Sequence, residues 1–193
     1  MIRTTLFATL FASAGLAFAA PTSYTIDPSH TYAAYEVGHL GLSSQSGAFT
    51  KISGKLSVDE AAKSGNVDIT IDAASLQTFF ADRDKHLKSA DFFNVEQFPT
   101  LTFNATKFDI KGDEGTVTGD LTIKGVTKEV TLDVEIDGIA EDPFGVTRLG
   151  FEAKTKINRK DFGVDFNAPM KTGGVLLSEE IKIEIVGSAT KQA

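Results

Sequence analysis

The chain carries three histidines, His30, His39 and His86, and the first two bracket the stretch "HTYAAYEVGH". Imidazoles serve as metal ligands, as general bases or as hydrogen-bonding groups beside a polar ligand, and their spacing helps to separate these uses. His30 and His39 are nine positions apart, an odd interval that sends the two rings to opposite faces of an unbroken strand and denies them a common metal. Gly38 and Gly41 offer places for the strand to break. His86 would supply a third ligand only from a segment covering the same end of the fold. Two other uses stay open: imidazoles bonded at strand ends to fix a loop, or imidazoles meeting a ligand at a mouth.

A second group of such residues, Arg83, Lys85, His86 and Lys88, is interleaved with Asp82 and Asp84. This run reads either as a solvated helix face or, if the helix caps a cavity, as a set of donors for a ligand oxygen. Arg83 is the first candidate for that contact because its planar fork suits bidentate binding. Arg159, Lys160 and Asp161 pose the same alternative against a local ion pair. Nucleophilic catalysis finds little support: Gly41-Leu42-Ser43-Ser44-Gln45 fails the G-x-S-x-G pattern at its last position and reads as a serine-rich turn. The absence of cysteine excludes thiol chemistry and Cys-ligated zinc. Carboxylates are abundant but mostly alternate along strands, so no catalytic pair stands out, and neither a cofactor nor a resident metal is expected.

The elements that must position these residues are strands. Val67, Ile69 and Ile71 alternate with Asp68, Thr70 and Asp72, the period-two pattern of a strand with one face in a core and one in water. The pattern returns at Val117 to Ile123, Val130 to Ile136, Leu149 to Ala153 and Ile181 to Ile185. With Thr31 to Val37, Phe49 to Val58 and Leu101 to Phe108 the count is about eight strands, most of them joined by short turns that imply antiparallel neighbours. Half-buried strands without a helical layer must hide their edges, and closure into a barrel does so. Asp82 to Ala90 predicts a short helix between the third and fourth strands, begun by an Asp cap and supported by an Asp84 to Lys88 pair. The long connection from Asn158 to Leu177 carries Phe162, Phe166 and Met170, which suits a loop packed over a barrel end.

An eight-stranded barrel either fills its interior with side chains or leaves room for one ligand. Ala33, Tyr35 and Val37 face inward with Thr31, Gly54, Ala105, Gly119 and Ala153, interleaved with Phe103, Leu121 and Phe151. The small residues leave two alternatives, a tapered apolar tunnel or relief of crowding around the aromatic rings.

Arg3, the apolar run from Leu6 to Phe18 and Ala17-Phe18-Ala19 read as a secretory signal peptide over residues 1–19, leaving one domain over residues 20–193 outside the cytoplasm. No apolar run is long enough for a transmembrane helix. The net charge of −7, one more negative without Arg3, argues against nucleic acid and anionic lipid surfaces as partners.

"IDPSHTYAAYEVGHLG", "RDKHLKSADFFNVEQFPTLTF", "GDLTIKGVTKEV" and "NRKDFG", in that order, closely resemble the YceI family of secreted bacterial proteins over nearly the whole mature chain. The resemblance implies an all-β, lipocalin-like antiparallel barrel in the periplasm, holding a polyisoprenoid or similar long-chain amphiphile, such as an isoprenoid quinone or polyprenyl lipid, and often forming a homodimer. It supplies no catalytic residues. Ala33 and Ala34 stand where the family usually has larger apolar or polar residues, so an inward Ala33 widens the lumen there. In this reading Ala33, Tyr35, Val37, Phe103, Leu121 and Phe151 grip the chain, and His30, His39, Arg83 and His86 meet the phosphate or quinone oxygen at the mouth. The second reading is a metal-dependent or hydrolytic envelope enzyme using His30, His39 and His86. A third is a barrel packed solid, with a structural or stress-response role.

Overall fold

The computed structural model describes residues 21–59, 64–171 and 173–192. The leader expected over residues 1–19 lies outside them. The strands are β1 (Thr22–Ile26), β2 (Tyr32–His39), β3 (Ser43–Phe49), β4 (Ile52–Asp59), β5 (Ser64–Asp72), β6 (Leu76–Gln77), β7 (Thr100–Lys111), β8 (Glu114–Ile123), β9 (Val126–Glu141), β10 (Thr147–Asn158) and β11 (Leu177–Lys191), with one helix, α1 (Ala81–Lys88).

All the pairings are antiparallel, and they close on themselves. The order β1-β4-β5-β7-β8-β9-β10-β11 returns to β1 through Tyr24, Thr25 and Ile26, which face Lys191, Thr190 and Ala189. β2 and β3 extend the same wall, because β11 pairs first with β2 and then with β1 along its length. β1 and β2 are thus two halves of one strand interrupted at 27–31, and β3 and β4 are two halves of the next. Merged in this way, the sheet is the eight-stranded antiparallel barrel expected, with α1 between the third and fourth strands. Closure satisfies the edge hydrogen bonds that an open sheet would expose.

Two details of the pattern escaped the sequence. Ser43 and Ser44 begin β3 rather than a serine-rich turn; "SSQSGAF" lacks apolar alternation and is held by pairing, with Gly47 opposite Tyr35. β7 carries a bulge between Ala105 and Lys107, which shifts the phase of the strand so that Phe108 and Ile110 reach the lumen after Leu101 and Phe103.

Helix α1 starts one residue earlier than expected and has no side-chain cap. Asp84 turns back to accept from the Thr78 amide at 2.7 Å and from its hydroxyl, so it anchors the segment leading into the helix instead of pairing with Lys88. The β8–β9 hairpin turns on Lys124 and Gly125, both at positive φ (51° and 75°), the backbone that suits the twist of a two-residue hairpin. Lys124 Nζ donates to the Gly163 carbonyl at 3.0 Å. That bond ties this turn to the 159–176 connection at the helical end of the barrel. The opposite, hairpin end carries the β7–β8 turn at Gly112 and the β9–β10 turn at 142–146.

Two buried clusters make up the core. A larger cluster includes Leu76, Phe92, Phe162 and Val164 and extends along the lumen, while a smaller one groups Phe103, Val117, Leu132 and Ala153. Outside, Glu36–Lys182, Glu184–Lys154 and Glu180–Lys156 form cross-strand ion pairs at 2.8–3.3 Å. Such exposed pairs contribute at most about 1 kcal/mol each.

Candidate functional site

The barrel encloses a cavity of about 1260 Å³, larger than the roughly 300–1,000 Å³ of ordinary small-molecule pockets. Its wall runs from Arg83, His86 and Phe92 at the helical end to Gly112 and Ile139 at the hairpin end. Ala33, Tyr35, Val37, Phe103, Leu121 and Phe151 all line it, because alternation turns these residues inward. A wall so rich in aliphatic and aromatic side chains offers water few partners, which favours an apolar occupant.

Both alternatives for the small residues occur. Thr31, Ala33 and Ala153 face the cavity. Gly119 instead receives the Phe103 ring, which passes 2.7 Å from where a Cβ would stand, and Gly47 receives Tyr35 at 2.6 Å from the same point. Gly54 and Ala105 are likewise absent from the wall. Gly119 and Gly47 let large rings lie flat against the sheet while the centre stays open.

The polar side chains that interrupt the wall toward the helical end include Tyr35, His39, Gln45, Arg83, His86 and Arg159. Arg83 is largely committed within the protein. Its Nε donates to Thr78 Oγ1 at 2.8 Å, Nη2 to the Thr78 carbonyl at 2.5 Å and Nη1 to Gln45 Oε1 at 3.1 Å. The guanidinium therefore locks α1 to β3. His86 contacts Asp91 at 2.9 Å and packs edge-on against Phe92 and Phe166, forming an aromatic roof. The Tyr35 hydroxyl and the His39 imidazole have no protein hydrogen bond among the described residues. Burial pushes the Tyr35 hydroxyl up to about 12, so it stays protonated at neutral pH.

Arg159 differs from all of these. It opens the turn that follows β10, where the Asn158 side chain accepts from the Lys160 amide, and it is only 4 % exposed. Its Nε donates to the Ser178 carbonyl at 2.9 Å and its Nη1 to the Val164 carbonyl at 2.5 Å, which pins the long connection to the start of β11. Nη2 is buried and has no hydrogen-bond partner among the described residues. An unsatisfied buried donor costs about 1–3 kcal/mol, more when charged. Burial pushes the guanidinium below its usual value, while Glu179 and Asp165 draw it back up. The local ion pair expected at "RKD" is made by Lys160 with Glu179, not by Arg159.

His30 departs from its expected place. Its side chain is 66 % exposed and lies 2.8 Å from Asp27, and it is absent from the cavity wall. The break between β1 and β2 throws the 27–31 segment outward and leaves only Thr31 facing in, 4 % exposed and bonded to Ser188. The three histidines therefore stand in three separate settings. Among the described residues no group of three His, Cys, Asp or Glu side chains is arranged to hold a metal.

Phe92, Phe93 and Phe166 belong to the site beside the expected residues. Paired aromatics within the polar stretch "SADFFNVEQ" were the available signal for the first two. No helix among the described residues is long and apolar enough to cross a membrane.

Comparison with known proteins places this geometry. The model of the YceI-like domain family matches residues 24–189. Protein YceI of Escherichia coli O157:H7 is 43 % identical over 159 residues, covering 82 % of this chain and 83 % of the relative. Among solved structures, Burkholderia cenocepacia BcnA superposes with a TM-score of 0.73 at 25 % identity, over 86 % of this chain and 99 % of the other. A polyisoprenoid-binding domain from Saccharophagus degradans shares the fold with a TM-score of 0.66 at 12 % identity, over 88 % and 98 % of the two chains.

Proposed function

This chain belongs to the YceI family, and from that premise we propose that it is a periplasmic carrier, without turnover of its own, for one polyisoprenoid or similar long-chain amphiphile held in the barrel lumen. The observation that carries this reading is the continuous apolar cavity of about 1260 Å³. Burying each methylene is worth about 0.8 kcal/mol, so an isoprene unit brings roughly 3–4 kcal/mol before ordering costs. A few enclosed units then suffice for tight binding.

Ala33, Tyr35, Val37, Phe103, Leu121 and Phe151 grip the chain in this proposal. His39, Arg83 and His86 border it at the helical end; His30, on the outer wall, is not assigned a ligand contact. The polyisoprenoid-binding neighbour named above supports the ligand class only by analogy of fold.

The test is to isolate the protein from a bacterial periplasm without detergent, record its native mass and extract it with organic solvent. A stoichiometric isoprenoid lipid or quinone is the expected result. An empty barrel that also refuses an added prenyl lipid would sink the carrier reading. Pairing of two chains belongs to the same proposal and is read from the same native mass.

A further inference from the structure

The unpartnered Nη2 of Arg159 asks for an acceptor. Arg159 is part of the cavity wall, its Nε and Nη1 are held by the Ser178 and Val164 carbonyls, and it is 4 % exposed. Two of its three nitrogens therefore fix the plane of the guanidinium, and the third is left with donors and, among the described residues, no protein oxygen to receive them. His39 stands on the same part of the wall, opposite Leu177 in the β2–β11 pairing, with no hydrogen bond of its own among the described residues.

Arg83, the more obvious cation by sequence, offers much less. All three of its nitrogens already donate, to Thr78 and Gln45. At the hairpin end, Arg148 is shared between Asp27 and Asp142 and is absent from the wall. Lys111 does line that end, but its side chain is 81 % exposed and already solvated.

We propose that the lumen binds its amphiphile in one orientation, with an acceptor oxygen of the polar end, carbonyl or phosphoryl, on Arg159 Nη2 beside His39, and the apolar tail directed toward the hairpin end. This rests on the carrier reading and deepens it by assigning the polar subsite. Glu179 and Asp165 already act on the guanidinium, so a neutral carbonyl oxygen satisfies it without the need for a full negative charge. The oxygen enters a donor pocket whose plane is set before it arrives, which is what makes the contact selective.

Three probes with the same geranylgeranyl tail test this: a naphthoquinone, a monophosphate and the tail-only hydrocarbon. Affinities are measured by quenching of tyrosine emission in the full chain, which has no tryptophan, and confirmed by calorimetry. The wild type should prefer at least one oxygen-bearing probe over the hydrocarbon by about ten- to a hundredfold, the range of one hydrogen bond to a charged group. Which probe is preferred identifies the source of the oxygen. Arg159→Met should remove that preference while leaving hydrocarbon affinity in place. Equal loss for all three probes would mean that Arg159 only holds the loop, and equal wild-type affinities would mean that no polar subsite exists; either overturns the assignment and leaves the carrier reading standing. Failure of every probe, the hydrocarbon included, overturns both.

Should Arg159→Met not fold, the infrared carbonyl band of the bound naphthoquinone in the wild type decides. A shift to lower wavenumber than in an alkane supports the contact, and an unshifted band rejects it. Arg159→Lys, which keeps the charge but not the fork, should restore only part of the preference.

Discussion

At the hairpin end, Arg148 donates to both Asp27 and Asp142 and the three side chains satisfy one another on the outside of the wall; at the helical end, Arg159 is buried in the cavity wall with one nitrogen unpaired. The same residue type is structural in one place and poised in the other. Solvent and partners account for the difference. Near the β9–β10 turn the carboxylates are a few residues away or across one strand, so the charge is balanced locally. Beneath the 159–176 connection Arg159 hydrogen-bonds, among the described residues, only to backbone carbonyls, which use two nitrogens out of three, while Glu179 and Asp165 act on it without a hydrogen bond. The packing differs in the same sense: Phe162 is 2 % exposed while Phe144, on the β9–β10 turn, is 90 % exposed.

The largest effect should come from that contrast in packing. Phe162→Ala is expected to cost about 3–5 kcal/mol, whereas Phe144→Ala should stay within about 0.5 kcal/mol, both read from urea unfolding midpoints. Comparable shifts for the two variants would erase the distinction between the ends. Ala33→Trp should close the passage that joins them. About 1–3 kcal/mol of overpacking strain is tolerable for the fold, so far-UV circular dichroism should persist while binding of a prenyl probe falls at least about tenfold; unchanged binding would mean that the ligand does not pass Ala33.

The hairpin end is better probed by pH. Hydrogen bonds from Ser29, His30 and Arg148 hold the Asp27 carboxyl well below the usual carboxylate range. A depressed folded value contributes stability above the unfolded value, about 3.9, and loses it as the pH falls toward the folded one. Asp27→Asn should therefore lower the thermal midpoint by a constant amount at neutral pH, and the gap to wild type should narrow below about pH 4. A gap that widens on acidification would contradict this assignment.

The smallest effect at neutral pH belongs to Tyr35. Its folded value of about 12 exceeds the unfolded value of about 10, so its contribution is whole below pH 10 and is lost as the pH rises through 12. Tyr35→Phe should remove one phase near pH 12 from the absorbance titration at alkaline pH and flatten the loss of stability there. If the phase survives in the variant, another group is responsible.

Much of the fold is legible in the sequence. Val67 to Ile71 and Val130 to Ile136 showed the strands because a half-buried strand alternates whatever its partners are. Beginning β3 at Ser43 was not legible, since its inner surface at Gly47 is furnished by a ring from β2. Nor was the phase change in β7, because a bulge alters geometry without altering composition. Nine of the ten residues chosen for the site lie on the cavity wall; His30 does not, because a break in a strand has no reliable signature in alternation alone.

By itself, the sequence determined the antiparallel barrel, the position of helix α1 and the apolar character of the barrel's inner face, all consequences of short-range pattern and chain connectivity. Tertiary structure alone decided that the interior is open rather than filled, since cavity volume depends on how rings from facing strands lie over glycines. It also decided between Arg83 and Arg159. Both are arginines at the same end, one in α1 and one in the turn after β10, and what separates them is which acceptors the folded chain brings within about 3 Å of each guanidinium: Thr78 and Gln45 engage every nitrogen of one, while among the described residues Val164 and Ser178 leave a nitrogen of the other free.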